Sequence, residues 1–268
     1  MKPRKRFGQH FLEPAWIEKV VGAIAPASGE RFLEIGPGRG ELTAPLSTRA
    51  ARLLAIEIDR DLVARLQALA LANTTIVAAD VLAVALSDLI ERELGASPSS
   101  RIRIVGNLPY NVSSPILFRL LDLATETRAV SDATLMLQQE VASRLVARPG
   151  TREYGVLTVV SAMGADVSLL LALPPGAFRP PPKVRSAVVR LSFRPPDIAI
   201  DDPPLLVEMV RSVFTQRRKM LANALEPFAS RQGRQARDVL EAVGLDSRRR
   251  PETLELADFI RLSSAFAR

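Results

Sequence analysis

The residues with the most chemistry to offer stand together at Asn107-Leu108-Pro109-Tyr110, directly after the apolar run Ile102, Ile104, Val105 and a break at Gly106. Asn107 brings an amide oxygen that accepts and an amide nitrogen that donates. Pro109 sets its own φ, pushes Leu108 into an extended conformation, and has no N–H to compete for the carbonyls beside it. Tyr110 offers a flat face at the same depth. Acceptors beside a stacking ring suit a planar aromatic amine such as N6 of adenine. The same four residues also read as a strand that ends in a Pro-containing turn with a half-buried Tyr.

The elements that must position this tetrapeptide are a series of short strands. Residues 13–26 read as an amphipathic helix, with Ile17, Val20, Val21 and Ile24 at helical spacing. Arg31–Ile35 reads as a strand, followed by Gly36-Pro37-Gly38-Arg39-Gly40 and a helix from about Glu41. Such a turn brings backbone close to a ligand and aims helix N–H groups at it. The next strand, 52–58, carries Glu57 at its carboxyl end, 21 residues after Gly36, where a carboxylate can take both ribose hydroxyls of an adenosine moiety. A third strand, 74–78, leads to Asp80, and the fourth leads to Asn107. Strand and helix alternating at this spacing predict a parallel sheet with its site along the carboxyl edges. A dinucleotide prefers G-x-G-x-x-G, which this loop lacks; two acids and an amide on successive strand ends suit S-adenosylmethionine, which has no pyrophosphate.

Composition narrows the classes further. The chain has 268 residues and net charge +7, unevenly spread: residues 1–6 carry +4, residues 7–175 carry −3, and residues 176–268 carry +6. Positive charge at the two ends favours a polyanionic partner, although a solvated basic surface accounts for charge alone equally simply. Zero Cys excludes disulfides, thiolate zinc sites and a Cys nucleophile, and is compatible with a reducing cytoplasm. With His10 the only histidine, neither a His-based metal cluster nor a Ser-His-Asp triad is expected. The basic start runs into Phe7-Gly8-Gln9-His10 and not into an apolar segment, so no signal peptide is expected. The most apolar window, 155–173, contains Ser161, Gly164, Asp166 and Ser168 and reads as helix then strand, not as a membrane span.

With these residues in view, the whole chain resembles the bacterial small-subunit ribosomal RNA adenine N6,N6-dimethyltransferases. Phe7-Gly8-Gln9-His10-Phe11-Leu12 is similar to that family's first cofactor motif, with His10 where the family commonly has Asn. The resemblance implies cofactor contacts from His10 and Leu12, and from Gly36, Gly38, Glu57, Asp80 and Asn107. It implies catalysis by Asn107, Leu108, Pro109 and Tyr110, with the target base stacked between Tyr110 and Phe178. The most specific pieces are Phe178-Arg179-Pro180-Pro181-Pro182-Lys183-Val184 and Gln216-Arg217-Arg218-Lys219. Implied too are S-adenosylmethionine without a metal, and dimethylation of two adjacent adenosines near the 3′ end of small-subunit (16S) ribosomal RNA, within a pre-ribosomal particle. A cytoplasmic monomer without membrane attachment is the matching expectation.

The expected fold is a Rossmann-like α/β methyltransferase domain over residues 1–195, with a smaller helical domain over 196–268 after a Pro- and Asp-rich linker. Helices are expected at 205–216, 217–229, 234–243 and 254–266. The second would begin at Arg217, Arg218 and Lys219, which with Arg248 and Arg249 are candidate RNA phosphate contacts. Adenine N6 is a poor nucleophile because its lone pair is delocalised into the ring. Acceptors for both amine hydrogens, at the Asn107 side chain and the Leu108 carbonyl, would draw it toward tetrahedral geometry. Three rival readings remain: a macrolide-resistance type large-subunit methyltransferase, a non-catalytic RNA-binding assembly factor, and, least compatible with the glycine spacing, a dehydrogenase.

Overall fold

Buried, branched side chains on short segments build the sheet of this protein. In the computed structural model, which describes residues 10–267, Phe32, Leu33, Leu53, Leu54, Ile102 and Ile104 are almost wholly buried. Strands covered on both faces in this way are typical of a sheet sandwiched between helices. In chain order the elements are β1 (Phe11–Leu12), α1 (Pro14–Ile24), β2 (Arg31–Ile35), α2 (Thr43–Ser47), β3 (Arg52–Glu57), α3 (Arg60–Gln67), β4 (Thr74–Ala78), α4 (Leu86–Leu94), β5 (Ile102–Asn107), α5 (Ser113–Thr127), β6 (Val130–Gln138) and α6 (Gln139–Leu145). They continue with α7 (Val156–Ala162), β7 (Ala165–Leu173), β8 (Phe178–Arg179), β9 (Ser186–Phe193), α8 (Pro203–Phe214), α9 (Leu221–Arg231), α10 (Ala236–Ala242) and α11 (Leu256–Phe266).

The main sheet has the order β4-β3-β2-β5-β6-β9-β7. From β4 to β6 all pairings are parallel, and β9 runs antiparallel to β6. The expected parallel sheet is therefore the first five strands of a mixed one. This α/β, Rossmann-like arrangement sends the carboxyl ends of β2, β3, β4 and β5 to one edge. A separate two-stranded ladder pairs β1 with β8, Leu12 opposite Phe178.

Helix α1 is tied down at its carboxyl end, where four carbonyls lack intrahelical partners. Arg103, 9% exposed, donates to the carbonyls of Ile24 (2.7 Å) and Ala25 (3.1 Å) and pairs with Asp132 (2.8 Å) and Glu30 (2.9 Å). Arg190 donates to the carbonyls of Ala23 (2.7 Å) and Ile24 (2.9 Å). Charge-assisted bonds from two strands thus fix the helix that follows β1.

The chain divides into two compact units. One holds the described residues through Ala142 together with Asp166–Arg194; the other holds Ser143–Ala165 and Pro195 onward. Residues 143–165, which sequence reasoning kept in the first domain, thus belong with the C-terminal helices. Tyr154 and Val159 are part of that unit's core with Met209, Leu225, Phe228 and Phe259, and Tyr154 Oη donates to the Leu254 carbonyl at 2.7 Å. The first unit has its own core, in which Val20, Ile24, Phe32, Leu53, Met136 and Phe178 are buried. No helix among the described residues is long and apolar enough to cross a membrane. The N-terminal basic arm and Phe7-Gly8-Gln9 lie outside the described residues.

Candidate active site

The carboxyl ends of β2, β3 and β5, the segment after β4, and the β1 strand enclose one cavity. Its walls include His10, Leu12, Gly36, Gly38, Glu57, Asp80 and the whole run from Asn107 to Tyr110. The strand order explains this convergence, because β3, β2 and β5 are neighbours and end at the same edge.

The glycine loop is shaped by its backbone. Gly36 and Gly38 have φ of +66° and +62°, a left-handed conformation that glycine adopts without strain. A Cβ at Gly38 would lie 3.3 Å from the Phe11 ring, so β1 packs directly on the loop. Arg39 covers the same ring, its guanidinium carbon 3.9 Å from the centroid. The expected helix from Glu41 begins at Thr43 and lasts only five residues. The loop N–H groups of Gly38 and Arg39 are not open to a ligand: they donate to Glu57 Oε2 and Glu41 Oε2, both at 3.1 Å.

Four acids, Glu34, Glu41, Glu57 and Asp80, line the cavity, and no Lys or Arg among the described residues does. Glu57 is 6% exposed; its Oε1 accepts from Asp59 N at 3.0 Å. Burial pushes its carboxyl above the ordinary range, with the Asp59 and Gly38 N–H groups opposing. Glu34 is 2% exposed and its Oε2 has no hydrogen-bond partner among the described residues. Burial pushes its carboxyl up to about 8, and the neighbouring Glu41 and Glu57 add to the shift. Sequence reasoning did not include Glu34 or Glu41 among the site residues. Asp80 is exposed, and its Oδ1 accepts from Leu82 N at 2.9 Å.

The tetrapeptide at the end of β5 is held from two sides. Asn107 Nδ2 donates to the His10 carbonyl at 2.8 Å, which fixes the amide orientation and leaves Oδ1 as an acceptor with no partner among the described residues. Leu108 N donates to the Met136 carbonyl at 3.2 Å, while the Leu108 carbonyl accepts nothing among the described residues. Tyr110 Oη lies 2.7 Å from Ser186 Oγ. Its ring is stacked with His10, centroids 5.4 Å apart and planes 24° from parallel. His10 Nδ1 lies 2.8 Å from the Pro180 carbonyl oxygen, which can only accept, so the proton is on Nδ1.

Phe178, expected to face Tyr110 across the target base, lies away from the cavity in this structure. Its side chain is 2% exposed in the core beside Leu12 and Val20 and forms no part of the cavity wall. A phenyl ring beside a ladder and a helix gains more from burial than from a polar mouth. The ring that does lie over Tyr110 is His10.

The candidate RNA contacts lie in the second unit, and three of the five are already engaged. Helix α9 begins at Leu221, four residues later than expected, so Arg217–Lys219 precede it in a turn. Its first N–H groups, Leu221 and Ala222, donate to the carbonyls of Arg249 (2.7 Å) and Ser247 (3.1 Å), which brings the two basic clusters side by side. Arg217 pairs with Glu252 (2.7 Å), Arg248 with Asp246 (3.2 Å) and Arg249 with Asp258 (3.2 Å). Arg218, Lys219 and Arg250 are exposed and have no ion pair among the described residues.

Comparison with known proteins agrees with this geometry. The chain is 44% identical over 265 residues to ribosomal RNA small subunit methyltransferase A of Xanthomonas euvesicatoria pv. vesicatoria, covering 97% of this chain and 95% of the relative. It is 44% identical over 270 residues to the protein of the same name from Burkholderia cenocepacia, covering 98% and 94%. A dimethyladenosine transferase from Plasmodium falciparum has the same fold, with a TM-score of 0.74 at 24% identity over 94% of this chain and 96% of that one. The 23S rRNA methyltransferase ErmE superimposes with a TM-score of 0.65 at 25% identity, over 96% and 100%. The ribosomal RNA adenine dimethylase family matches residues 1–262, and the chain belongs to that family.

Proposed function

We propose that this enzyme transfers two methyl groups to N6 of adenosines in small-subunit ribosomal RNA, with S-adenosylmethionine as the donor. The observation that carries this reading is a single cavity lined by four carboxyl groups, by no Lys or Arg among the described residues, and by the Asn107–Tyr110 acceptors. A pyrophosphate would meet carboxylates where it needs N–H groups, which disfavours a dinucleotide. A cationic ligand is compatible with the carboxylates of Glu41, Glu57 and Asp80, and Glu34 Oε2, without a hydrogen-bond partner among the described residues, has one to gain. When bound, S-adenosylmethionine supplies an electrophilic methyl group on a positively charged sulfur.

The residues present fit that group. Glu57 keeps lone pairs for ribose hydroxyls, Asp80 accepts from the adenine amine, Gly36 and Gly38 allow close approach, and His10 and Leu12 form the wall opposite the loop. On the target side, Asn107 Oδ1 and the Leu108 carbonyl accept the two hydrogens of N6 and favour its pyramidal form. Tyr110 stacks on the base, which must leave its own stack to arrive there. Positioning of this kind accounts for roughly 7–11 kcal/mol of barrier. No strong base is needed, because the proton becomes acidic only after N6 is methylated. After one transfer N6 keeps one hydrogen, and the apolar Leu108 and Pro109 accommodate the first methyl group during the second.

Identity of 44% to small-subunit enzymes, against 25% to the large-subunit ErmE, supports the small-subunit substrate. Arg218, Lys219 and Arg250, exposed and without an ion pair among the described residues, are cations we assign to its phosphates within a pre-ribosomal particle. Incubation with small-subunit particles and with large-subunit RNA, followed by mass detection of digested nucleosides, tests the reading. N6,N6-dimethyladenosine in the small-subunit RNA alone is expected. Monomethyladenosine as the sole end product, or methylation of the large-subunit RNA instead, overturns it.

A further inference from the structure

Ser186 is the first residue of β9, 1% exposed, and its hydroxyl lies 2.7 Å from Tyr110 Oη. A hydroxyl on a buried strand costs free energy unless it is hydrogen-bonded, and Tyr110 is its only partner among the described residues. The χ2 torsion of a tyrosine is broad, so the backbone at Pro109–Tyr110 does not by itself set the plane of the ring. Two contacts fix the ring: the His10 ring on its face constrains its plane, and the Ser186 hydroxyl holds its tip, which lies on the χ2 axis and so sets where the ring points.

The sheet gives this tip contact a defined relation to the amide acceptor. Met136 on β6 pairs with Asn107 on one side and with Val188 on the other, and Gln138, two residues on, pairs with Ser186. Asn107 and Ser186 are therefore registered on the same central strand. Tyr110, in a turn beyond β5, is not part of the ladder and gains its register through Ser186. Groups held on strands are placed more tightly than groups held on turns.

We propose that Ser186 is a positioning residue for methyl transfer, its hydroxyl anchoring the tip of the Tyr110 ring, and with it the ring's long axis, where the target adenine stacks. This rests on the reading that Tyr110 receives the base. The test is a double-mutant cycle of Ser186→Ala and Tyr110→Phe, with Ser186→Thr and Tyr110→Ala alongside, on small-subunit particles at saturating S-adenosylmethionine. Each single variant of the pair should lower kcat about five- to tenfold, the kinetic equivalent of one neutral hydrogen bond. The double variant should be no slower than either single, Ser186→Thr should recover most of the rate, and calorimetric affinity for the cofactor should not change. Full activity in Ser186→Ala, or losses that multiply in the double variant, overturns the proposal. Tyr110→Ala separates the two failures: if it keeps full activity, the base does not stack there and the functional reading itself falls; if it loses activity while Ser186→Ala does not, only the role of Ser186 falls.

Discussion

Replacing Gly106 by Ala tests the geometry at the end of β5 directly. Gly106 pairs with Ile35 of β2, and a Cβ built on it lies 2.6 Å from the Ile35 carbonyl oxygen and 3.2 Å from Leu108 Cδ2. The nearer atom is backbone, so no side chain can rotate away. An ordinary carbon–oxygen contact needs about 3.3 Å, so the two strands must part by about 0.7 Å. A ladder bond of normal length stretched by that amount leaves the hydrogen-bonding range. Losing one such bond costs about 0.5–1.5 kcal/mol, and overpacking of a tight site typically costs about 1–3 kcal/mol. A loss of about 3 kcal/mol for the first unit follows. Trp16 is the only tryptophan and belongs to that unit, so its fluorescence reports unfolding there. With a urea slope near 3 kcal/mol/M, the midpoint should fall by about 1 M. Methyl transfer should fall too, because the shift moves Asn107 relative to the His10 carbonyl that orients it. A midpoint within about 0.2 M of the parent would mean that β2 and β5 have slack at this position, which would refute the steric reasoning.

Burial raises the Glu34 carboxyl from 4.5 to about 8, so the folded state holds a proton that the unfolded state has lost. Stability is therefore intact below about pH 4.5 and declines as pH rises toward 8. Glu34→Gln should flatten that decline in Trp16-monitored unfolding from pH 5 to 9, and an unchanged slope would show that Glu34 is not the group responsible. Glu57→Ala should weaken S-adenosylmethionine by about 1.5–3 kcal/mol in calorimetry, the range for hydrogen bonds to a charged group; unchanged affinity in a folded variant removes Glu57 from the site. Replacing Arg218, Lys219 and Arg250 together by Ala should reduce the slope of log affinity against log salt by about 2–3, near 0.7–0.9 per phosphate contact. An unchanged slope would locate the RNA elsewhere.

Much of the cavity is legible in the sequence because its parts sit where strands end. Gly36, Glu57, Asp80 and Asn107 each follow a short apolar run, and parallel strands bring such ends together whatever the connecting helices do. The burial of Phe178 is not legible from its proline neighbours, because it depends on pairing with Leu12 across the chain. The start of α9 at Leu221 depends on carbonyls from residues 247 and 249, a distant cap that no local pattern announces. Residues 143–165 leave the first unit inside a helix, without Pro or Gly to mark the crossing, and Tyr154 shows its allegiance only in the fold, through the Leu254 carbonyl and the Phe214 ring. The acids facing the glycine loop were visible as residue types. That Glu57 and Glu41 take the loop N–H groups depends on register, which spacing does not supply.

The small ladder of β1 and β8 bears on how the protein is made. Leu12 pairs with Phe178, and His10 Nδ1 meets the Pro180 carbonyl across 170 positions of chain. On a ribosome adding roughly 5–20 residues per second, about 10–30 s separate the emergence of these partners. Strands β2 to β6 are all complete in that interval, so a nascent sheet has the glycine loop, Glu57 and Asn107 in hand while the His10–Leu12 wall has no strand to pair with. The His10–Leu12 wall is therefore the last part of the cavity to gain its strand partner. Chains that end before residue 178 lack both β8, which pairs with β1, and β9, which pairs with β6, so the sheet and the cavity wall are completed together late in synthesis.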